Sequence, residues 1–128
     1  MIKLLHMDDD PDILEIGRMS LELTGKFDVK QCLSGGETIA AAEEFAPDVV
    51  LLDVMVPGMS GVTVASEIRK IESLANVPVI FMTARVQSEE VASLMEEKNA
   101  IGVISKPFDP VGLGEEIAKL MGLAQAAA

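Results

Sequence analysis

Positive charge, aromatic rings and cysteine are all scarce in this 128-residue chain, and each shortage removes a class of function. Ten lysines and arginines stand against 21 acids, a formal net charge of -11, so the field of the whole molecule opposes polyanions such as nucleic acid and anionic membrane surfaces. Direct DNA binding runs against that field, whereas a basic partner or a cation such as magnesium would be drawn in. Cys32 is the single cysteine, which excludes an internal disulfide or a cysteine-based zinc cluster and suits a reducing compartment. Trp and Tyr are absent and Phe occurs four times, so the core has to be aliphatic. No apolar run approaches the roughly 20 residues of a membrane span. The start, Met1 to His6, meets acids too soon for a secretory signal, and a cytoplasmic location is expected.

What remains is enough for one domain. About half of the residues are apolar, 49%, which suits one core and is too little for two. Four apolar blocks are too short for helices and read as buried strands: Ile2 to Met7, Val49 to Leu52, Val77 to Met82 and Ile101 to Ile104. Phe27 to Leu33 alternates and reads as an edge strand. Between them run helical stripes: Ile13, Leu14, Gly17, Leu21; Ile39, Ala40; Gly61, Val64, Ala65, Ile68; Val91, Leu94, Met95; and Leu113, Ile117, Leu120, Met121. Asp10-Pro11 opens the first helix and Gly25 closes it, and Asp109-Pro110 is expected to open the last. Most of the eight methionines are expected on core stripes, with Met95 as the exception. Residues 1–123 are taken as the domain and 124–128 as a tail.

Strands alternating with helices, with no hairpin signal, require right-handed crossovers and a parallel sheet covered on both faces. The expected fold is α/β, a (βα)5 flavodoxin-like three-layer sandwich with a parallel five-stranded sheet in the order 2-1-3-4-5. In such a sheet chemistry collects at the carboxyl ends of the strands. Here those ends carry Asp8-Asp9-Asp10, Asp53, Thr83 and Ser105-Lys106. Neighbouring strands lie about 4.8 Å apart, so a short threonine beside Asp53 and a long lysine two strands away converge on one spot. Two carboxylates about 4 Å apart repel by roughly 4 kcal/mol at an effective dielectric of 20, and one lysine does not neutralise three acids. Magnesium suits such hard oxygen ligands, and the lack of His or Cys nearby argues against zinc. Given that cation, Asp53 would attack a phosphoryl donor, while Thr83 and Lys106 hold the remaining oxygens of the transferred group. The acyl phosphate so formed hydrolyses on its own, which suits a transient signal.

Asp8-Asp9, Leu51-Leu52-Asp53, Val56-Pro57-Gly58-Met59-Ser60-Gly61, Thr83-Ala84 and Lys106-Pro107-Phe108 together resemble the receiver domain of two-component response regulators, over nearly the whole chain. The resemblance implies Asp53 as phosphoacceptor, Asp8 and Asp9 as the acidic pocket with Asp9 on magnesium, and the Met55 carbonyl as a further ligand. It also implies Thr83 and Lys106 as switch hydroxyl and phosphate-binding lysine, with a cis peptide before Pro107. A histidine kinase or histidine phosphotransfer protein would be the donor, near the first helix and the Pro107-Phe108 loop. A downstream protein would dock on the face formed by residues 91–98, 101–105 and 111–121, and the chain itself is expected to be a monomer or weak dimer. Val103 stands where many such domains carry Tyr or Phe, so a swinging aromatic ring is not expected to assist Thr83. Met55 and Arg85 flank the expected water path, and a thioether cannot orient water, so self-dephosphorylation should be slow to moderate.

Other readings fit less well. A shuttle or sink in a multistep relay uses the same site. A haloacid-dehalogenase-type phosphohydrolase pattern has a second acid two residues after the nucleophile, where this chain has Met55. An FMN binder would need a hydroxyl-rich loop after the first strand, where Asp8 to Asp10 repel phosphate. Asp10 reads as a helix cap, His6 as a hydrogen-bonded packing residue, and Cys32 as a buried small apolar group.

Overall fold

The computed structural model describes residues 1–84 and 88–127. Its strands are β1 (Ile2–Met7), β2 (Phe27–Cys32), β3 (Val49–Asp53), β4 (Val79–Thr83) and β5 (Ala100–Ser105). The helices are α1 (Pro11–Glu22), α2 (Gly35–Phe45), α3 (Gly61–Arg69), α4 (Ser88–Met95) and α5 (Leu113–Ala127), with a 3-10 turn at Glu72–Leu74. All strand pairs are parallel and the order is β2-β1-β3-β4-β5, the flavodoxin-like α/β arrangement. No helix among the described residues is long and apolar enough to cross a membrane.

The sheet splits the core in two, because successive strand side chains point to opposite faces. One face buries Leu5, Met7, Val50, Leu52, Val79 and Phe81 against Val64, Ala65 and Ile68 of α3 and Leu94 of α4. The other buries Leu4, Leu51, Ile80, Met82 and Ile104 against Leu21 of α1 and Leu113, Ile117 and Met121 of α5. Every residue of β3 and β4 is buried, as continuous apolar runs in a doubly covered sheet require. Edge strand β2 keeps Asp28 and Lys30 in solvent, charges that discourage further strand pairing.

Helix starts follow their caps. The Asp10 side chain accepts from Asp12 N ahead of Pro11, Ser34 caps α2 through Glu37 N, and Ser60 caps α3 through Thr63 N. The last helix departs from the sequence reading. Asp109 Oδ1 accepts from Val111 N at 3.0 Å, folding residues 109–111 into a local turn, and α5 begins only at Leu113. It then runs through Ala127, into the stretch read as a tail. Gly114 lets α5 approach the end of α1: a Cβ there would lie 2.6 Å from Thr24 Cγ2. Strand β4 starts later than its apolar run, because Val77 N bonds to Leu74 O and closes the preceding turn. The methionines also differ from expectation. Met7, Met82 and Met121 are buried, but Met1, Met19, Met55 and Met95 are exposed, since methionine's flexible stem is tolerated on either side of a helix or loop.

Candidate functional site

Four strand ends meet at one corner of the sheet. Asp8 follows β1 directly, Asp53 ends β3, Thr83 ends β4, and Lys106 follows β5. Parallel register aligns them: Met7 pairs with Leu52, Asp53 with Met82, and Thr83 with Ser105. Lys106 N also bonds to Thr83 O at 2.9 Å, tying the last two strand ends together.

The Lys106 side chain crosses two strand positions to reach the acids. Its Nζ lies 3.0 Å from Asp53 Oδ2 and 2.8 Å from Asp8 Oδ2. Asp8 and Asp53 are buried while Asp9 is exposed, so one wall of the site is dry and one is open. Backbone amides hold the carboxylates: Asp10 N donates to Asp8 Oδ1 at 3.0 Å, and Met55 N donates to Asp53 Oδ1 at 3.2 Å. Behind Asp53, the chain returns so closely at Gly61 that its N–H bonds to Val54 O at 3.2 Å.

These contacts set the charges. Burial pushes the Asp53 carboxyl above its ordinary range; the Lys106 hydrogen bond pulls it back and the neighbouring Asp8 pushes it further up. For Lys106, burial alone would lower the pKa, but its contacts with Asp8 and Asp53 together outweigh that and raise it. The ammonium is therefore held charged between two acids.

Oxygens of Asp8, Asp9 and Asp53 lie within 4.8 Å of one another. Ligand oxygens around one octahedral magnesium are about 3–4 Å apart, so small side-chain rotations would let these three share an ion. Asp8 Oδ2 is buried and accepts no hydrogen bond, its compensation being the ammonium charge alone. The donor set is all oxygen and carries more negative charge than Lys106 neutralises, which fits a hard divalent cation.

The sequence-predicted residues Asp8, Asp9, Asp53, Thr83 and Lys106 thus lie at one corner. Met55 sits two residues past Asp53 with its side chain in solvent, while Arg85 lies outside the described residues. Val103 pairs with Phe81 and packs on the core, an apolar contact in place of a ring. The peptide between Lys106 and Pro107 is cis, as the resemblance implied.

One feature beneath the site escaped the sequence reading, the reach of Gln31 to His6 and α1. His6, wholly buried two residues before Asp8, lies against Gly17 of α1, and its Nδ1 is 3.3 Å from Gln31 Nε2. Its Nε2 has no partner, so the expected hydrogen-bonded packing residue is satisfied on one nitrogen only. Gln31 also donates to Leu14 O at 2.6 Å, pinning α1 to the edge strand. An amide in a short alternating strand gave no signal of that reach. Cys32 is buried as expected, and burial pushes its thiol pKa up, against an activated nucleophile.

Residues 4–118 match the response regulator receiver domain family. Among curated proteins, the DNA-binding dual master transcriptional regulator RpaA of Synechocystis is 35% identical over 109 residues, 85% of this chain and 44% of its own length. The transcriptional regulatory protein TrcR of Mycobacterium tuberculosis is 34% identical over 123 residues, 95% of this chain and 45% of its own. The chain therefore spans less than half the length of these relatives. Among solved structures, the chemotaxis response regulator CheY4 of Vibrio cholerae superposes with a TM-score of 0.85 at 26% identity, covering 94% of this chain and 98% of that one. A BeF3-activated DrrB receiver domain superposes with a TM-score of 0.77 at 29% identity, covering 95% and 98%. With the family matched over nearly its whole length and the acidic pocket in place, this chain belongs to the response regulator receiver domain family of two-component signalling.

Proposed function

We propose that this chain is a phosphorylation-activated signalling receiver, cytoplasmic in location, in which Asp53 takes a phosphoryl group from a histidine kinase or histidine phosphotransfer protein and partner binding changes as a result. The observation that carries the reading is the Lys106 ammonium shared between Asp8 and Asp53, with Asp9 closing the triad. An Asp53 oxygen forms the new bond to phosphorus while the bond to the donor breaks, and the donor leaves with the electron pair. Lys106, already poised at 3.0 Å, follows the charge onto the phosphoryl oxygens, and the Thr83 hydroxyl is the nearer strand-end donor to them. Asp8, Asp9, Asp53 and the Met55 carbonyl are the groups that would hold magnesium, which when bound supplies positive charge to the transferring group. The apolar sheet beneath excludes water from the inner side of the site.

The donor is assigned to the side of α1 and the Pro107-Phe108 loop, and a target protein to the face of α4, β5 and α5, where Met95 stands exposed. The alternative, a shuttle or sink, uses the same chemistry without a target. Incubation of the chain with acetyl phosphate and magnesium should add one phosphoryl mass by intact-mass spectrometry, and Asp53→Ala should add none. An adduct that persists in the variant moves the acceptor elsewhere.

Self-dephosphorylation is assigned a slow to moderate rate, because the exposed Met55 side chain beside Asp53 has no group that orients water. Met55→Asn should shorten the aspartyl-phosphate half-life about tenfold, on the scale of one positioned hydrogen bond in a transition state. An unchanged decay after acetyl phosphate is removed would refute this role for Met55.

A further inference from the structure

The acidic loop between β1 and α1 is tied to the edge strand at two neighbouring residues. Asp8 N donates to Cys32 O at 3.2 Å, and the Gln31 side chain donates to Leu14 O, in the first turn of α1, at 2.6 Å. The orientation of the amide follows from its neighbours. Arg18 Nε donates to Gln31 Oε1 at 3.2 Å, which leaves Gln31 Nε2 to face the Leu14 carbonyl and, at 3.3 Å, His6 Nδ1. His6 stands opposite Gln31 in the strand register, and a Cβ at position 17 would lie 3.0 Å from the His6 Cε1. Glycine at 17 thus lets α1 lie close enough to the strands for Gln31 to reach a helix carbonyl. From Leu14 the contacts run on to the site. Leu14 N donates to Asp10 O at 3.2 Å, Asp10 N donates to Asp8 Oδ1 at 3.0 Å, and Asp8 Oδ2 meets Lys106 Nζ at 2.8 Å.

We propose that Gln31 is a positioning residue for the cation pocket: its amide fixes the first turn of α1 against the strands and thereby holds the Asp8 and Asp9 carboxylates ready for a divalent ion. The proposal rests on reading Asp8, Asp9 and Asp53 as that pocket. Exposed Asp9 lies in the chain between Asp8 and Asp10, so its place follows from the bonds those two residues make. Without the Gln31 amide, the first turn keeps its cap at Asp10 but loses its tie to β2. The loop then gains freedom that a bound ion has to remove, and the cost falls on cation binding. Later steps are spared, because Thr83 and Lys106 are held by β4 and β5.

The test is calorimetric titration of the full chain with magnesium chloride, alongside amide hydrogen exchange of the metal-free chain. Gln31→Met keeps the length of the side chain and removes its donors. It should weaken magnesium binding about tenfold, the scale expected when a group that orients a metal ligand is lost. The Asp10 amide should exchange faster in this variant, while amides of β3 and β4 exchange as in the wild type. In phosphorylation by acetyl phosphate, the magnesium concentration for half-maximal rate should rise by the same factor, with the rate at saturating magnesium within about twofold of wild type. Arg18→Met cuts the bond to the other end of the amide and should bind magnesium like the wild type. An equal loss there would trace the effect to α1 as a whole and overturn the proposal, as would unchanged magnesium affinity in Gln31→Met. Should Gln31→Met fold poorly, Gln31→Glu, which sets an oxygen in place of the donor facing Leu14 O, supplies the same comparison. Asp9→Ala separates the two readings: if its magnesium binding equals that of the wild type, the pocket falls and the role of Gln31 falls with it. If Asp9→Ala loses the ion while Gln31→Met holds it as tightly as the wild type, only the role of Gln31 falls.

Discussion

Gly61→Ala should melt about 10 °C below the wild-type chain, an effect of about 3 kcal/mol for a domain of this size. A Cβ at position 61 would sit 2.4 Å from Asp53 O, 3.0 Å from Asp53 C and 3.2 Å from Val54 Cα. All three are backbone atoms at the end of a fully buried strand, so no rotamer change relieves the contact. Either α3 withdraws, losing the burial of Val64, Ala65 and Ile68, or the Asp53 peptide yields. In the second case the carboxylate moves away from Lys106, and phosphorylation by acetyl phosphate should slow alongside the loss of stability. Gly36→Ala is the control: no atom lies within 4 Å of a Cβ there, and the residue is in the first turn of α2. It should melt at or slightly above the wild-type temperature, since alanine outranks glycine in a helix. Equal melting of both variants by thermal unfolding would show that the tight passage behind Asp53 is not rigid.

The same passage shows where sequence reasoning reaches its limit. Gly61 was legible as part of an apolar helical stripe, because periodicity reports which face is buried. The reason for glycine there was not, because it lies in a contact with a strand eight residues earlier. The strand ends were legible for a related cause. A parallel sheet places its carboxyl ends together, so Asp8, Asp53, Thr83 and Lys106 could be assigned to one corner before any coordinates. Val49 to Leu52 read as a strand because a run buried on both faces has no polar alternation, and β3 is such a run.

Side-chain competition accounts for much of the rest. At Asp10-Pro11 the aspartate caps the helix that follows at once, whereas at Asp109-Pro110 the same pair of residues makes a turn first. The local sequences are alike, and each aspartate accepts from the amide two residues on; the difference lies in whether the helix follows at once. Gln31 and Gly114 carry similar information: each matters through long-range contacts, and neither has a periodic signature. The methionines misled for the opposite reason, since hydropathy scores Met19 as a core residue while the fold leaves it in solvent.

Stability of the unphosphorylated, metal-free chain should fall by about 3 kcal/mol between pH 7 and pH 4 on account of His6 alone. His6 is the one histidine in the sequence and is wholly buried. Burial, aided by the Lys106 ammonium, lowers its pKa from 6.5 to about 4. A histidine whose folded pKa is depressed binds its proton more readily when unfolded. Its neutral form therefore favours the folded state fully above pH 6.5, and that contribution is lost as pH falls toward 4. Asp53 acts in the opposite sense, because a carboxyl raised by folding gains stability on acidification, so the raw acid limb is a sum of both. His6→Leu isolates the histidine: urea unfolding at pH 7, 6 and 5 should show the wild type losing ground to the variant at up to about 1.4 kcal/mol per pH unit. The two denaturation midpoints should run parallel only above pH 7. Parallel midpoints down to pH 5 would mean that the imidazole finds a partner for its charge, most directly through the nitrogen that is unpaired in this fold.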